Sequence, residues 1–486
     1  MSETTEESPA SERITLRPLC VDLDGTLVKS DTLADSLLLL VRGQPLQAVL
    51  SPLWLKGGRA AFKAEVASRV TLDVDHLPWN HRLLEYLAGQ HAMGRKLYLA
   101  TGADARVAKR IADHLGLFEE VLASDGETNH TGNHKLASLQ ERFREQGFDY
   151  VGNARPDAPV LAESGEAMVA NPTRSLRAQI RSRKIPVSHK FEDRAGAGKS
   201  FLRAIRLHQW AKNVLIFVPL LLAHALRLPQ VLNTLLAFLC FSLCASATYI
   251  VNDLLDIEAD RRHPKKRHRP FAAGDLSAGT GVAIVVLFLA AAFTGAAFLP
   301  RAFLGWLLIY LATTLAYSLR LKRVVLVDVL LLSGLYTLRL LAGAGAAGVG
   351  ISPWFAAFAI FLFLSLAIVK RFSELQNIRA RGGSLSNGRG YLLSDIEQLR
   401  SFGTMSGMAA VVIFALYING GDIMGLYRHP ARMWLIMPLL LLWIFRVWLL
   451  ASRGELDEDP VIFAVTDRMS LLIGLAIALI AALATV

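Results

Sequence analysis

Residues 231–260 read VLNTLLAFLCFSLCASATYIVNDLLDIEAD, an apolar run that ends in a cluster of acidic side chains. A helix rises about 1.5 Å per residue, so roughly 20 apolar residues cross the hydrocarbon core of a bilayer. The run therefore predicts a transmembrane helix with acidic residues at one membrane surface. Asn252, Asp253, Asp256 and Asp260 recur at helical intervals, so we expect them to share one helix face.

The second part of the chain contains nine apolar segments of this kind, separated by short charged loops. They are predicted at residues 210–226, 231–251, 281–299, 303–318, 324–344, 354–369, 402–418, 434–450 and 470–486. Loops after the even-numbered segments carry most of the lysines and arginines, and basic residues resist translocation. We therefore expect an all-α polytopic domain over residues 209–486 in the bacterial inner (plasma) membrane, with these loops and the N-terminal domain in the cytoplasm.

The formal net charge of +11 does not indicate a nucleic-acid partner. Much of the positive charge lies in the membrane loops, where orientation explains it. The first ten residues, MSETTEESPA, contain no apolar stretch, so we expect no cleavable secretion signal. Three cysteines, Cys20, Cys240 and Cys244, give no disulfide framework, which is typical of a reducing compartment.

The N-terminal residues 1–186 have the mixed composition of a soluble domain, and short apolar runs within them end in polar residues. The apolar run LCV at residues 19–21 leads into DLDGT at residues 22–26, which predicts a buried strand followed by a carboxylate-rich turn. KLYLATG at residues 96–102 predicts a second strand ending near Thr101. Lys135 begins a predicted helix, and FDYVG at residues 148–152 predicts a strand before Asn153 and Asp157.

These four ordered motifs resemble those of the haloacid-dehalogenase-like hydrolases, and the resemblance covers about 165 residues. It implies an α/β Rossmann-like domain over residues 1–186, with a helical cap at about 28–95 and a linker at 187–208. By that resemblance Asp22 is the attacking carboxylate and Asp24 the general acid/base, while Thr101 and Lys135 bind phosphate. The implied Mg²⁺ ligands are Asp22, Asp24, Asn153 and Asp157.

Asn153 departs from the family pattern, which usually has an aspartate at this position. Asparagine removes one negative charge from a Mg²⁺ site, although its amide oxygen can still coordinate the ion. Two interpretations follow: a phosphatase with weakened activity, and a catalytically inactive domain kept for docking.

The acidic cluster of the membrane domain is followed by a basic run, RRHPKKRHRP, at residues 261–270. Carboxylates bind Mg²⁺ and basic side chains bind phosphate oxygens, so the combination predicts a Mg²⁺–diphosphate site. With Arg269-Pro270, Gly274 and nine predicted helices, the chain resembles the UbiA prenyltransferases over about 285 residues. The resemblance implies a helical bundle with a cavity open to lipid and a reaction involving an isoprenoid substrate.

A second aspartate-rich motif, usual between helices six and seven of aromatic prenyltransferases, is replaced here by KRFSE at residues 370–374. Together with QWAKN at residues 209–213 and His263-Pro264-Lys265, this is similar to the polyprenyl-phosphate phosphoribosyltransferase branch. That branch transfers 5-phosphoribosyl from phosphoribosyl diphosphate to a polyprenyl phosphate and releases diphosphate. The fused domain would then remove the 5-phosphate.

The site residues of this reaction are implied by the same resemblance. Catalytic aspartates are Asp253, Asp256 and Asp260, which would hold Mg²⁺ together with Asn252. Residues expected to bind the substrates are Lys212, Asn213, Asn252, Lys265, Arg267, Arg269, Tyr317, Lys322, Lys370, Arg371 and Glu374.

Two other functions compete with this interpretation. One is an aromatic-acceptor prenyltransferase that uses a prenyl diphosphate. The other is a lipid transporter or lipid-binding protein with an inactive docking domain, because charges facing a cavity in the membrane are expected there too. The chain length of the lipid and the pathway stay open, as does assembly into a homo-oligomer.

Overall fold

The computed structural model describes residues 16–380, 382, 389–421, 425–456 and 460–485. Contacts between residues divide the chain into two units. The first comprises Met1–Arg203 and Asp253–Gly281, and the second comprises Ala204–Asn252 and Val282–Val486. The aspartate-rich segment, residues 253–281, therefore belongs to the same unit as the N-terminal domain.

A six-stranded parallel sheet forms the framework of the first unit, with the strand order β3-β2-β1-β4-β5-β6. This is the order of a doubly wound Rossmann-like sheet, so the predicted α/β fold class is confirmed. The strands are β1 Leu19–Val21, β2 Leu97–Asp104, β3 Glu120–Ser124, β4 Asp149–Gly152, β5 Ala167–Ala170 and β6 Val187–Phe191.

Helices cover both faces of this sheet, and apolar side chains alternate along β1 to meet them. The helices are α1 Thr32–Gly43, α2 Pro45–Leu50, α3 Gly58–Arg69, α4 His81–Ala92, α5 Ala105–Leu115, α6 Asn133–Arg142, α7 Ala158–Glu163 and α8 Arg174–Arg183. Leu19 and Val21 pack in one core with α4 and α5, whereas Cys20 packs in another core with α6, α7 and α8. Together with the strand order and the carboxylates that follow β1, this arrangement is haloacid-dehalogenase-like.

The predicted cap and linker differ in detail from the structure. Residues of the cap are helical as expected, but α4 packs on the sheet through Leu83 and Leu87. The prediction of a linker at 187–208 is wrong, because β6 pairs with β5 and Ala197–Ile205 forms helix α9. Most side chains of β6 are exposed at the edge of the sheet, so the strand lacks the apolar pattern that identifies buried strands.

The second unit is helical, and eight helices among the described residues are long and apolar enough to cross a membrane. Their number and composition make the chain an integral membrane protein. The helices that follow α9 are α10 Val218–Leu222, α11 Leu228–Leu255, α12 Ile257–Arg262, α13 Ala278–Ala296, α14 Arg301–Leu319, α15 Val327–Ala347, α16 Pro353–Ala380, α17 Ile396–Ile418, α18 Ile436–Ser452, α19 Pro460–Thr466 and α20 Arg468–Thr485.

The first predicted membrane segment, residues 210–226, is not one regular helix. A 3-10 helix covers Leu207–Phe217 and is followed by the five-residue helix α10. Pro219, in the first turn of α10, has no N–H to continue the preceding hydrogen-bond pattern. Lys212 and Asn213 are also buried within the 3-10 helix and need polar partners there.

Helix α15 approaches this 3-10 helix at Gly343. A Cβ atom at position 343 would lie 2.1 Å from the carbonyl oxygen of Ile216, which is a backbone atom and cannot rotate away. For Gly334, in the same helix, no described atom beyond the adjacent backbone of α15 lies within 4 Å of the corresponding position. The close approach of these two elements therefore requires glycine at 343 and not at 334.

We predict that Gly343→Ala lowers the stability of the protein in detergent by about 1–3 kcal/mol, because the added methyl group forces the backbones apart. Gly334→Ala is the matched control and should be neutral or slightly stabilising, since alanine favours helix. Thermal unfolding followed by fluorescence measures both. Equal melting temperatures for the two variants would contradict the close packing.

Candidate functional site

Asp22 follows β1 directly and lies in a buried cluster of charged side chains in the first unit. Lys135, in the first turn of α6, donates to Asp22 Oδ1 at 2.8 Å and to Asp157 Oδ1 at 3.3 Å. The Tyr150 hydroxyl donates to the same Asp157 oxygen at 2.8 Å, and Thr26 donates to Asp22 Oδ2 at 3.1 Å. The structure thus brings together three residues that the sequence assigned to one site: Asp22, Lys135 and Asp157.

Burial determines the ionisation of this cluster. Burial raises the pKa of Asp22 to about 6, although Lys135 opposes the shift. Burial also tends to lower the pKa of Lys135, but the carboxylates of Asp22 and Asp157 outweigh it and hold that pKa above its usual value. Lys135 therefore stays charged, and Asp22 is available as a nucleophilic carboxylate only above about pH 6.

Asp24 lies in the turn after β1, whereas Thr101 lies inside β2, which continues past the predicted strand end to Asp104. The Asp24 carboxylate accepts a hydrogen bond from the backbone N–H of Thr32 at 2.7 Å, and burial raises its pKa well above the usual range. A protonated Asp24 can donate a proton, as the predicted general acid requires. Thr101 is completely buried, and its hydroxyl accepts from the backbone of Ala103 at 3.0 Å.

Asn153 is suited to a metal ion despite its missing charge. Its Oδ1 atom is buried and has no hydrogen-bond partner among the described residues, so one ligand oxygen is available. Asn153 also lies against the turn after β1, because a Cβ atom at Gly25 would come within 1.9 Å of Asn153 Nδ2. Asp157 differs, since both of its oxygens already accept hydrogen bonds from protein groups. The predicted metal role is therefore better supported at Asn153 than at Asp157.

Lys63 of α3 was not predicted as a site residue. Its Nζ donates to the carbonyl of Gly102 at 2.5 Å and to Asn129 Oδ1 at 2.9 Å, and burial lowers its pKa. Lys63 and Asp24 line the same small cavity of about 80 Å³. The sequence gives no signal for Lys63 as a site residue, because it cannot be distinguished from the solvent-exposed lysines that are common in amphipathic helices.

The aspartate-rich segment is not one continuous helix. Helix α11 ends at Leu255, Asp256 caps the next helix, and α12 starts at Ile257. The expectation that all four polar residues share one regular helix face is corrected by this break. The basic run nevertheless returns to the acidic residues, because Arg269 Nη1 lies 3.0 Å from Asp253 and 2.7 Å from Asp260.

The shared contact with Arg269 shows that Asp253 and Asp260 can bind a common cation. Both carboxylates reach one nitrogen atom, and both aspartates are buried. Burial raises the pKa of Asp260, and Arg269 opposes that shift. No group of three or more His, Cys, Asp or Glu side chains in the described part of the chain is arranged to hold a metal ion. Two carboxylates suit Mg²⁺, but a complete set of ligands is not preformed.

Lys265, Arg267 and Asn252 were predicted as further ligands at this segment. Lys265 and Arg267 are exposed. Asn252, the last residue of the second unit before the segment, accepts a hydrogen bond from Lys322 Nζ at 3.1 Å. Roles for these residues, and for the half-buried Lys370, stay predictions.

Arg371 is the centre of a buried network in the second unit. Its Nε donates to Asp328 at 2.5 Å, its Nη1 donates to both oxygens of Glu374 at 2.8 Å, and its Nη2 donates to the Tyr317 hydroxyl at 3.2 Å. Tyr391 also donates to Asp328. Because Arg371 is fully buried and all three of its nitrogens contact protein, the geometry favours positioning over direct substrate contact.

Arg339 was missed by the sequence analysis, although it is a charged residue inside an apolar helix. It is 4% exposed, and its Nε donates to Asn213 Oδ1 at 2.9 Å. The guanidinium also faces the Tyr336 ring at 5.3 Å, and Lys212 Nζ faces that ring at 5.7 Å. The sequence did contain a signal for Arg339, because an ionisable residue within a membrane helix is commonly functional.

An apolar cavity of about 260 Å³ lies among the helices of the second unit. Its lining includes Phe358, Phe363 and Phe414, together with residues of the 3-10 helix and of α18 and α20. Such a lining suits a hydrocarbon chain rather than a polar ligand.

A model of the UbiA prenyltransferase family matches residues 214–483, and several known proteins are similar to this chain. The uncharacterized protein y4nM of Sinorhizobium fredii is 38% identical over 464 residues, 95% of this chain and 90% of that protein. Nodulation protein NoeC of Azorhizobium caulinodans is 36% identical over 288 residues, 58% of this chain and 92% of that protein. The decaprenyl-phosphate phosphoribosyltransferase of Mycobacterium tuberculosis is 32% identical over 281 residues, 57% of this chain and 90% of that protein.

We predict that Lys135→Met destabilises the protein by about 3–5 kcal/mol, because it leaves the buried carboxylates of Asp22 and Asp157 without their cation. Lys96→Met is the control, since Lys96 pairs with Glu119 on the surface and such pairs contribute little. Thermal unfolding of both full-length variants in detergent measures the difference. A Lys135→Met protein as stable as the control would refute the charge compensation.

Proposed function

Because the chain belongs to the UbiA prenyltransferase family, we propose that its membrane domain transfers 5-phosphoribosyl from phosphoribosyl diphosphate to a polyprenyl phosphate. Relatives named decaprenyl-phosphate phosphoribosyltransferase support this choice within the family. The reaction is proposed to take place at the cytoplasmic side of the bacterial inner membrane, where the basic loops would lie.

The observation that carries the proposal lies in the last turns of α16 and the loop that follows it. An enzyme that holds a prenyl diphosphate between two acidic motifs needs free carboxylates there. Between residues 370 and 395 the sequence contains only Glu374 and Asp395 as acids. Glu374 is bound by Arg371, and Asp395 accepts from the backbone N–H of Leu392. With the half-buried Lys370 in the same stretch, this region favours a second phosphate group rather than a second metal ion.

In the proposed reaction an oxygen of the lipid phosphate attacks the anomeric carbon of the ribose. The bond between that carbon and diphosphate breaks, and diphosphate leaves with the electron pair. Lys265, Arg267 and Arg269 are proposed to bind its oxygens. Asp253, Asp256 and Asp260, with Asn252, are proposed to hold Mg²⁺, which supplies positive charge to the departing diphosphate.

The remaining polar residues of the second unit are proposed to bind the two phosphate groups that stay on the product. Lys212, Lys322 and Lys370 provide charge for the lipid phosphate and the ribose 5-phosphate. Asn213 and Tyr317 contribute through Arg339 and Arg371, whose guanidinium groups they contact. The apolar cavity is proposed to hold part of the polyprenyl chain.

We further propose that the N-terminal domain removes the 5-phosphate from the ribosyl lipid. The cluster of Asp22, Asp24 and Lys135 provides a nucleophile, a proton donor and a charged phosphate ligand. The available oxygen of Asn153 supports Mg²⁺ binding at this site. Fusion would keep the second active site near the first product at high effective concentration.

The transfer reaction can be tested with Asp253→Asn. This variant should lose at least roughly 100-fold in diphosphate release from phosphoribosyl diphosphate with polyprenyl phosphate present, because the lost charge would hold the metal. Glu258→Gln is the matched control, since Glu258 lies in the same segment but pairs with the exposed Arg262. It should stay within about twofold of the unmodified protein. Near-normal turnover in Asp253→Asn would refute the metal site.

The phosphatase step predicts different lipid products in Asp22→Asn. Without its nucleophile the N-terminal domain cannot hydrolyse the phosphate ester, so the phosphorylated ribosyl lipid should accumulate. Mass spectrometry of extracted lipids distinguishes it from the dephosphorylated product. If both proteins give the same mixture and retain the 5-phosphate, the N-terminal domain has no catalytic part in the pathway.

A further inference from the structure

Helix α1 and the aspartate-rich segment share a buried ion pair within the first unit. Arg261 of α12 donates through Nη1 to Asp35 of α1 at 2.8 Å, and the two side chains are only 5% and 2% exposed. Ser30 donates to the same Asp35 oxygen at 2.7 Å. Arg261 also donates through Nε to the carbonyl of Ala272 at 3.2 Å. One arginine therefore connects α1, α12 and the turn that follows the basic run.

A second contact lies two helical turns further along α1. Arg42 Nη1 lies 3.4 Å from the carbonyl oxygen of Leu255, the last residue of α11, and 3.9 Å from the carboxylate of Asp256. Residues 35 and 42 are seven positions apart, so they lie on the same face of α1. That face contacts the segment on both sides of the break at Asp256.

The backbone beyond the basic run is also held by the N-terminal part of the unit. Asp275 accepts a hydrogen bond from the backbone N–H of Ala195 at 3.1 Å. Gly274 has a φ of +72°, and a Cβ atom there would lie 2.6 Å from Lys29 Cβ. A side chain at position 274 would therefore push apart the two chain segments that meet here, one at Lys29 and one at Gly274.

The burial of Arg261 is better explained by the position that it gives to the aspartate-rich segment than by a net gain in folding stability. A buried ion pair often contributes little net stability, because both charges lose their hydration. Arg261 Nη2 is buried without a hydrogen-bond partner among the described residues, which adds to this cost. The pair does fix position, since a shifted segment would leave a buried charge without its partner. Arg261 directly follows Asp260, and Arg42 contacts Leu255 and Asp256, so the fixed points lie at the two ends of α12, and the first of them is two residues after Asp253.

We propose that helix α1 positions the aspartate-rich segment for the transfer reaction. The N-terminal domain would then be a positioning element of the transferase, independent of any hydrolysis by its own active site. Arg261 and Asp35 are positioning residues here, because they act through Asp253, Asp256 and Asp260. The expected effect on turnover rests on the proposed function, whereas the contact between α1 and the aspartate-rich segment does not depend on it.

The test compares Arg261→Met and Arg261→Lys with the neighbouring Arg262→Met in the full-length protein. Arg262 lies on the same helix and also pairs with an aspartate, Asp73 at 2.5 Å, but its side chain is 55% exposed. Two quantities are measured: the Mg²⁺ concentration that gives half-maximal diphosphate release, and hydrogen exchange of backbone amides in residues 253–281.

Arg261→Met should slow transfer by about tenfold to hundredfold at low Mg²⁺, the scale expected when reacting groups are displaced by about 1 Å. It should also raise the half-saturating Mg²⁺ concentration and speed exchange in the segment. Lysine can replace only one of the two hydrogen bonds, so Arg261→Lys should be intermediate. Arg262→Met should match the unmodified protein.

Each contrary result has a distinct meaning. If Arg261→Met changes neither exchange nor the Mg²⁺ dependence, the positioning role is refuted, even where the maximal rate falls. If Arg261→Met does not fold, Asp35→Asn decides the question by the same measurements, because it removes one charge and keeps a similar shape. If the unmodified protein releases no diphosphate, the proposed function fails, while hydrogen exchange still tests the contact between α1 and the segment.

Discussion

In three clusters of the described structure, one cation is shared by two carboxylates, all of them buried except the half-buried Glu374. Lys135 lies between Asp22 and Asp157, Arg269 between Asp253 and Asp260, and Arg371 between Asp328 and Glu374. Two carboxylates close together in a poorly hydrated site repel each other strongly, and a shared cation removes that repulsion. The arrangement also fixes the distance between the acids, so it prepares pairs of oxygens that a metal ion or a substrate can use.

These three cations differ in how easily a ligand could replace their contacts with the carboxylates. Arg371 is fully buried with every nitrogen engaged, so its network belongs to the framework of the membrane domain. Arg269 is partly exposed at 27%, and it is its Nη1 atom that donates to both Asp253 and Asp260. In the proposed reaction, a partly exposed arginine beside buried carboxylates would be able to turn towards diphosphate if a metal ion bound the acids. The ion pair of Arg261 with Asp35 would keep the acidic segment in place during that exchange.

The sequence predicted the parts of the molecule that depend on local patterns. The apolar run of β1, the acidic turn after it and Lys135 at the start of a helix all lie where the motifs indicated. The edge strand β6 was missed because its side chains are exposed, and the 3-10 helix at Leu207–Phe217 was missed because hydropathy does not register its buried Lys212 and Asn213. Pairs of residues far apart in the sequence could not be predicted for another reason. Asp35 and Arg261 are 226 positions apart, and no periodicity relates two such residues.

The same limit applies to the basic residues of the site. From the sequence, Arg269 and Arg371 were equivalent phosphate ligands, since a cation near an expected phosphate has no visible partner. In the folded chain, Arg269 contacts two aspartates of its own segment and Arg371 is enclosed by Asp328, Glu374 and Tyr317. Arg339, by contrast, was overlooked even though its position inside an apolar helix marked it as unusual.

The identity of the transferred group is tested most directly by the mass of the lipid product. The purified full-length protein is incubated with Mg²⁺, polyprenyl phosphate, phosphoribosyl diphosphate, a prenyl diphosphate and an aromatic acid in one mixture. The account predicts that the polyprenyl phosphate gains a ribose, with or without its 5-phosphate, and that the aromatic acid is unchanged. A prenylated aromatic acid together with unconsumed phosphoribosyl diphosphate would contradict it.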